Sequence, residues 1–162
     1  MSKPAVYLET SVVSYLTART TRHLLALAWQ QVTMEWWQRR RRRYELFVSE
    51  LVLDEARQGD AAAAARRLQL IESLPRLDVN VSVRALAARL LGEAALPPVA
   101  RVDALHVAVA TVHRMDYLLT WNCTHIANAE RVPFVRLACE SAGYRCPQIC
   151  TPQELLGEEI EL

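Results

Sequence analysis

The chain has 162 residues, 19 Lys and Arg against 18 Asp and Glu, and a formal net charge of +1, with 52% hydrophobic residues and only 4 glycines. One domain over residues 1–162 is expected, with a core large enough to need neither a disulfide nor a structural metal. Disordered, collagen-like and bulk-electrostatic nucleic-acid-binding chains are excluded, although a local basic patch is not.

Ala5–Leu8 is a short β-rich run that ends at Glu9-Thr10-Ser11, where Thr10 or Ser11 is a plausible N-cap for a helix to about Thr17. A long helix is expected from about Thr21 to Arg43. Leu24, Leu27, Ala28, Gln31, Val32, Glu35 and Trp36 make its mostly apolar stripe, and Arg39 to Arg43 lie at its C-terminal end. Tyr44–Val48 is the second strand, and Ser49 caps a helix that Gly59 closes. Asp60 caps an Ala-rich helix stopped by Pro75. Leu77–Val81 alternates like a strand, and Ser82 opens a helix broken at Leu96-Pro97-Pro98.

Val99 to about His113 is the most apolar helix, followed by a strand at Asp116–Thr120 that leads into Trp121-Asn122-Cys123. A helix from Pro133 to Ala142 ends at Gly143, Gln148–Thr151 is a last strand, and Thr151-Pro152 opens a short terminal helix. Short apolar strands alternating with helices imply an α/β fold with a parallel sheet, in which function sits at the carboxyl ends of the strands. No apolar stretch approaches the roughly 20 residues of a membrane span, and no signal-peptide core follows Met1, so a cytoplasmic location is expected. Cys123, Cys139, Cys146 and Cys150 form no C-x-x-C pair and read as idle thiols; Cys146, Cys150 and His125 have no strong zinc spacing.

Glu9 and Asn122 stand at strand ends. On the helix after Ser49, Glu55 falls between Leu51 and Val52 on the helical wheel, whereas Glu50 and Asp54 fall on the opposite side. A carboxylate on the packed side is costly unless it is paired or binds a cation. On the helix from Val99, Asp103, His106, His113 and Arg114 make one narrow polar stripe. The stripe is either an ordinary solvated face or the wall of a cleft.

The strand with Glu9-Thr10-Ser11, the segment Ser49–Glu55, the block Val102-Asp103-Ala104-Leu105-His106-Val107-Ala108 and the block Tyr117–Asn122 together resemble the signature blocks of PIN-domain proteins, which include VapC-type toxins. The resemblance implies a three-layer α/β/α fold with a central, mainly parallel sheet and an acidic pocket that binds Mg²⁺ or Mn²⁺ and hydrolyses RNA. It implies Glu9, Glu55 and Asp103 as metal-binding acids and Asn122 at the fourth catalytic position. The family usually has Asp where Glu9 and Asn122 stand. A longer first acid and an amide at the fourth position leave two readings: an active endoribonuclease, as in the toxin of a type II toxin–antitoxin pair, and a weakened binding scaffold. His106 reads as a stabilising neighbour of Asp103, since metal-assisted hydrolysis needs no imidazole base.

Thr10 and Ser11 are candidate donors to Glu9 or to a phosphate. Trp36, Trp37 and Arg39 to Arg43 combine stacking surface with positive charge, which suits RNA, with Arg39 and Arg40 as its contacts, an acidic antitoxin-like peptide, or simply a solvated helix end with the tryptophans in the core or a dimer interface. The resemblance also implies a homodimer and an antitoxin partner.

Overall fold

The computed structural model describes residues 2–157. Five strands, β1 (Ala5–Leu8), β2 (Glu45–Ser49), β3 (Arg76–Leu77), β4 (Tyr117–Leu119) and β5 (Gln148–Cys150), form one sheet in the order β3-β2-β1-β4-β5, parallel at every pairing. Among the described residues seven α-helices accompany them: α1 (Thr10–Thr17), α2 (Leu24–Arg39), α3 (Glu50–Ala56), α4 (Ala61–Ile71), α5 (Val81–Gly92), α6 (Arg101–Val112) and α7 (Val132–Ser141). This is the expected α/β fold with a central parallel sheet. The strands read as continuous apolar runs because helices cover both faces of such a sheet. Val6, Tyr7, Leu8, Leu118 and Leu119 are fully buried at its centre. Helix α1 packs against α2, α3 and α4, and α5 packs against α6 and α7.

Strand order reverses direction between β1 and β4, so the carboxyl ends of those two strands bound a crevice. Glu9 follows β1 and its amide donates to the Leu119 carbonyl of β4 at 3.0 Å. Local sequence signals place most boundaries. Asp60 caps α4 by accepting from the Ala63 amide at 2.9 Å, and Gly59 and Gly143 take the positive φ that ends a helix cheaply only for glycine.

Several expectations are corrected. The cap of α1 is Glu9 itself, whose side chain accepts from the Ser11 amide, because the hydroxyls of Thr10 and Ser11 are engaged with carboxylates. The helix expected over 21–43 is shorter at both ends. His23 caps it at the start, and after Arg39 the chain tightens into a 3-10 turn at Arg41–Arg43 before entering β2. Five consecutive cations disfavour one continuous helical end, and the strand lies immediately beyond.

The buried face of α2 is only partly the expected stripe: Trp36 of that stripe is buried, but Leu24 is 82% exposed, and Gln30 and Thr33, which lie outside the stripe, are buried. The polar pair is inside because both side chains have partners. The Gln30 amide donates to the Arg19 carbonyl, and the Thr33 hydroxyl accepts from the Trp121 indole at 2.7 Å. The strand expected over 77–81 shrinks to Arg76–Leu77, since Asn80 accepts from the Val83 amide and starts α5 there instead of after Ser82.

Candidate metal centre

The end of β1, the last turn of α3 and the first turns of α6 converge at the crevice. Ser49, the last residue of β2, is the N-cap of α3 by backbone, yet its hydroxyl makes no cap bond. It lies 2.7 Å from Tyr7 Oη instead. Tyr7 Oη is also 2.7 Å from His106 Nδ1, and His106 Nε2 is 2.5 Å from Glu55 Oε1. Glu55 Oε1 accepts from the Thr10 hydroxyl at 2.8 Å. A continuous polar chain therefore runs Ser49–Tyr7–His106–Glu55–Thr10 through the core. Tyr7 and His106 are 0% and 1% exposed, while Glu55 reaches the crevice.

Each link has an electrostatic consequence. Burial pushes the Glu55 carboxyl up, but the hydrogen bond and charge of the His106 ring and the Thr10 hydroxyl outweigh it and hold Glu55 below the usual glutamate range. Burial is the main reason that the Tyr7 phenol lies far above its ordinary value. The Ser49 bond opposes this, and the charges of Glu9 and Glu55 add to it. Tyr7 therefore stays neutral and can both donate and accept.

Glu9 is buried and held on every side. Its Oε1 accepts from the hydroxyls of Ser11 and Thr120, each at 2.5 Å, and its Oε2 accepts from the Ser11 amide at 3.1 Å. The Ser11 hydroxyl oxygen accepts from the Trp121 amide, and the Thr120 hydroxyl oxygen from the Asn122 amide at 2.9 Å. Glu9 thus ties β1 to the end of β4.

Asp103 sits beside this group with both carboxylate oxygens engaged. Asn122 Nδ2 donates to Oδ1 at 3.0 Å, and His125 Nδ1 lies 2.8 Å from Oδ2. Asn122 Oδ1 in turn accepts from the His125 amide. The polar stripe read on α6 divides: Asp103 turns to Asn122 and His125, His106 is buried against Glu55 and Tyr7, and His113 lies against the Asp78 carbonyl.

Glu9, Glu55 and His106 each present a ligand atom, and these atoms lie within 4.8 Å of one another. Two carboxylates and an imidazole are a fit donor set for a divalent cation. Of the residues read from the sequence, Glu9, Glu55, Thr10 and Ser11 come together directly, and Asp103 and Asn122 join them through Thr120. Arg39 and Arg40 do not join them. They precede the 3-10 turn that enters the amino end of β2, at the opposite end of the strands. Arg39 pairs with Glu35 at 3.1 Å, Arg41 stacks its guanidinium over Trp37 at 4.5 Å, and Trp36 is fully buried.

Tyr7, Thr120 and His125 are site residues that sequence reasoning did not single out for this site. Tyr7 had a signal, because the two-residue period of a strand puts it on the side of Glu9. Thr120 and His125 had none beyond proximity to Asn122.

The PIN domain family model matches residues 6–122. The chain belongs to the PIN domain family. PIN domains are generally nucleases, and the match contains Glu9, Glu55, Asp103, His106 and Asn122. A solved structure of similar fold, described as the crystal structure of VapBC2 from Rickettsia felis bound to a DNA fragment from their promoter, superposes with a TM-score of 0.55 at 15% identity. The superposition covers 91% of this chain and 98% of that one, so the PIN fold is shared over nearly the full length. No curated protein matches the chain.

Proposed function

We propose that this PIN domain is a metal-dependent endoribonuclease that hydrolyses phosphodiester bonds of single-stranded RNA, and that it is the toxin of a type II toxin–antitoxin pair. The observation that carries the reading is the convergence of the Glu9 and Glu55 carboxylates at the carboxyl edge of the sheet, where strand order reverses in a PIN domain. Mg²⁺ or Mn²⁺ supplies there the neutralisation of phosphate charge and the activation of water that hydrolysis needs. Glu9 and Glu55 would hold the cation, and Asp103, in the adjoining group, would ligate it directly or through water. Asn122 orients Asp103 and the attacking water or phosphate.

Thr10 and Ser11 act by fixing the two glutamates, since both hydroxyls are spent on them. The cytoplasm is the compartment that holds such a substrate; among the described residues no helix is long and apolar enough to cross a membrane. The VapBC2 complex of the similar fold supports an antitoxin-type protein partner, and a homodimer is the assembly we assign to the toxin.

A second reading, a PIN-like RNA- or protein-binding scaffold with weakened chemistry, is favoured by one observation: the Asn122 amide is committed to Asp103, where a fourth carboxylate would instead add charge. Cleavage of single-stranded RNA by the purified protein with Mg²⁺ or Mn²⁺ distinguishes the two. Glu9→Gln and Asp103→Asn are expected to lower the rate by about two orders of magnitude or more, the scale of losing several kcal/mol of transition-state charge stabilisation. Equal background from wild type and both variants would establish the scaffold.

A further inference from the structure

Of the three side chains that present ligand atoms here, the most deeply buried is not an acid. We propose that His106 is a nitrogen ligand of the cation held by Glu9 and Glu55, and that it makes the site prefer a first-row transition-metal dication such as Mn²⁺ to Mg²⁺. The inference rests on the metal-dependent reading above and concerns which ion that reading requires.

Geometry comes first. Ligand atoms that share one ion at bond lengths of about 2.0–2.2 Å are separated by about 3 Å when adjacent and about 4.2 Å when opposite. The Glu9, Glu55 and His106 donors lie within 4.8 Å of one another, so shifts of a few tenths of an ångström close the set. Asp103 is not in this group, because its two oxygens are directed to Asn122 and His125.

The ring is also supported as a ligating imidazole must be. A histidine that binds metal through one nitrogen donates the N–H of the other to a fixed acceptor, which sets its tautomer and its angle. Nδ1 has such an acceptor in Tyr7 Oη, and Tyr7 can pass its own O–H to Ser49 Oγ, so Nδ1, Oη and Oγ are each satisfied. This arrangement turns the Nε2 lone pair towards Glu55 Oε1, 2.5 Å away, a contact that only a cation between the two makes favourable. Run the other way, with Tyr7 donating to Nδ1 and Nε2–H donating to Glu55, the same heavy atoms make His106 only a clamp on Glu55. The two directions predict different cation chemistry. Mg²⁺ strongly favours oxygen donors, whereas imidazole nitrogen raises affinity for transition-metal dications.

Chelator-stripped full-length protein, titrated with Mn²⁺ and followed by electron paramagnetic resonance, tests this without any activity. Pulsed measurements on the bound ion are expected to show ¹⁴N coupling that changes on ¹⁵N-histidine labelling, survives in His125→Gln and is absent in His106→Gln. Mn²⁺ affinity in His106→Gln should fall about tenfold or more, while Mg²⁺ affinity changes by less than about threefold. Wild type with ¹⁵N-histidine and His125→Gln decide the matter even if His106→Gln does not fold. Bound Mn²⁺ without nitrogen coupling, or coupling lost in His125→Gln, overturns the assignment of His106 and leaves the metal-dependent reading intact. No uptake of Mn²⁺ or Mg²⁺ by folded wild type overturns both.

Discussion

Tyr7→Phe removes one oxygen atom from the centre of the molecule and is the most informative single change for the polar chain. The phenol is fully buried, with its oxygen 2.7 Å from both Ser49 Oγ and His106 Nδ1, which are themselves buried. Its loss leaves two buried polar atoms without their Tyr7 bond. Leaving a buried donor or acceptor unsatisfied costs about 1–3 kcal/mol. Part is recovered because the phenol no longer has to be desolvated, so the net loss is expected to be about 2–4 kcal/mol. At about 2–4 °C per kcal/mol for a domain of this size, that lowers Tm by about 4–16 °C.

Urea unfolding followed by tryptophan fluorescence and circular dichroism measures it. Ser49→Ala removes only one bond and should cost about 1 kcal/mol. The double variant should cost less than the sum of the two, because the orphan hydroxyl that Tyr7→Phe creates is then absent. A Tyr7→Phe protein within about 0.5 kcal/mol of wild type, at unchanged m-value, would refute the claim that the chain is a satisfied and stabilising network.

Three further outcomes follow from other contacts. Thr10→Val removes a donor that helps hold Glu55 below the usual glutamate range. A depressed carboxyl stabilises the fold above its unfolded value and loses that contribution as pH falls towards its folded one, so the stability gap between wild type and variant should be widest near neutrality. The gap should shrink as unfolding is repeated from pH 6 down to pH 3, and a gap that widens with acid would contradict the assignment. Asn122→Asp replaces a hydrogen bond to Asp103 with like-charge repulsion and should cost about 1.5–3 kcal/mol without divalent cations. Added Mn²⁺ should restore more Tm to this variant than to wild type, and scans with and without the ion check both halves. Thr33→Val deprives the buried Trp121 indole of its acceptor and should lower unfolding free energy by about 1–3 kcal/mol, disturbing the Trp29–Trp121 stack at 4.7 Å and hence the near-ultraviolet dichroism.

Much of the candidate site was legible because its signals are local. Glu9 and Asn122 border strands whose apolar runs are unmistakable, and Glu55 alone among the acids of α3 leans to the packed side; in the structure it is half-buried while Glu50 and Asp54 are exposed. The stripe on α6 was visible as a periodicity. Its meaning was not, since a solvated face and a crevice wall have the same helical pattern. The basic run after Trp37 left its position open for the same reason. Composition describes its charge, but only strand direction reveals that it enters the amino end of β2, away from the acids.

Caps, turns, strand runs and the placement of acids beside them are properties of neighbouring residues, and the amino-acid order alone determined them. Partner choice among buried polar groups was decided by tertiary structure. Tyr7 meets Ser49 across 42 residues and His106 across 99, and Thr120 meets Glu9 across 111. A polar atom removed from water bonds to whatever the packing brings within reach. Whether His106 clamps a glutamate or binds an ion depends on the docking of α6 beside β1 and α3, which no local pattern encodes.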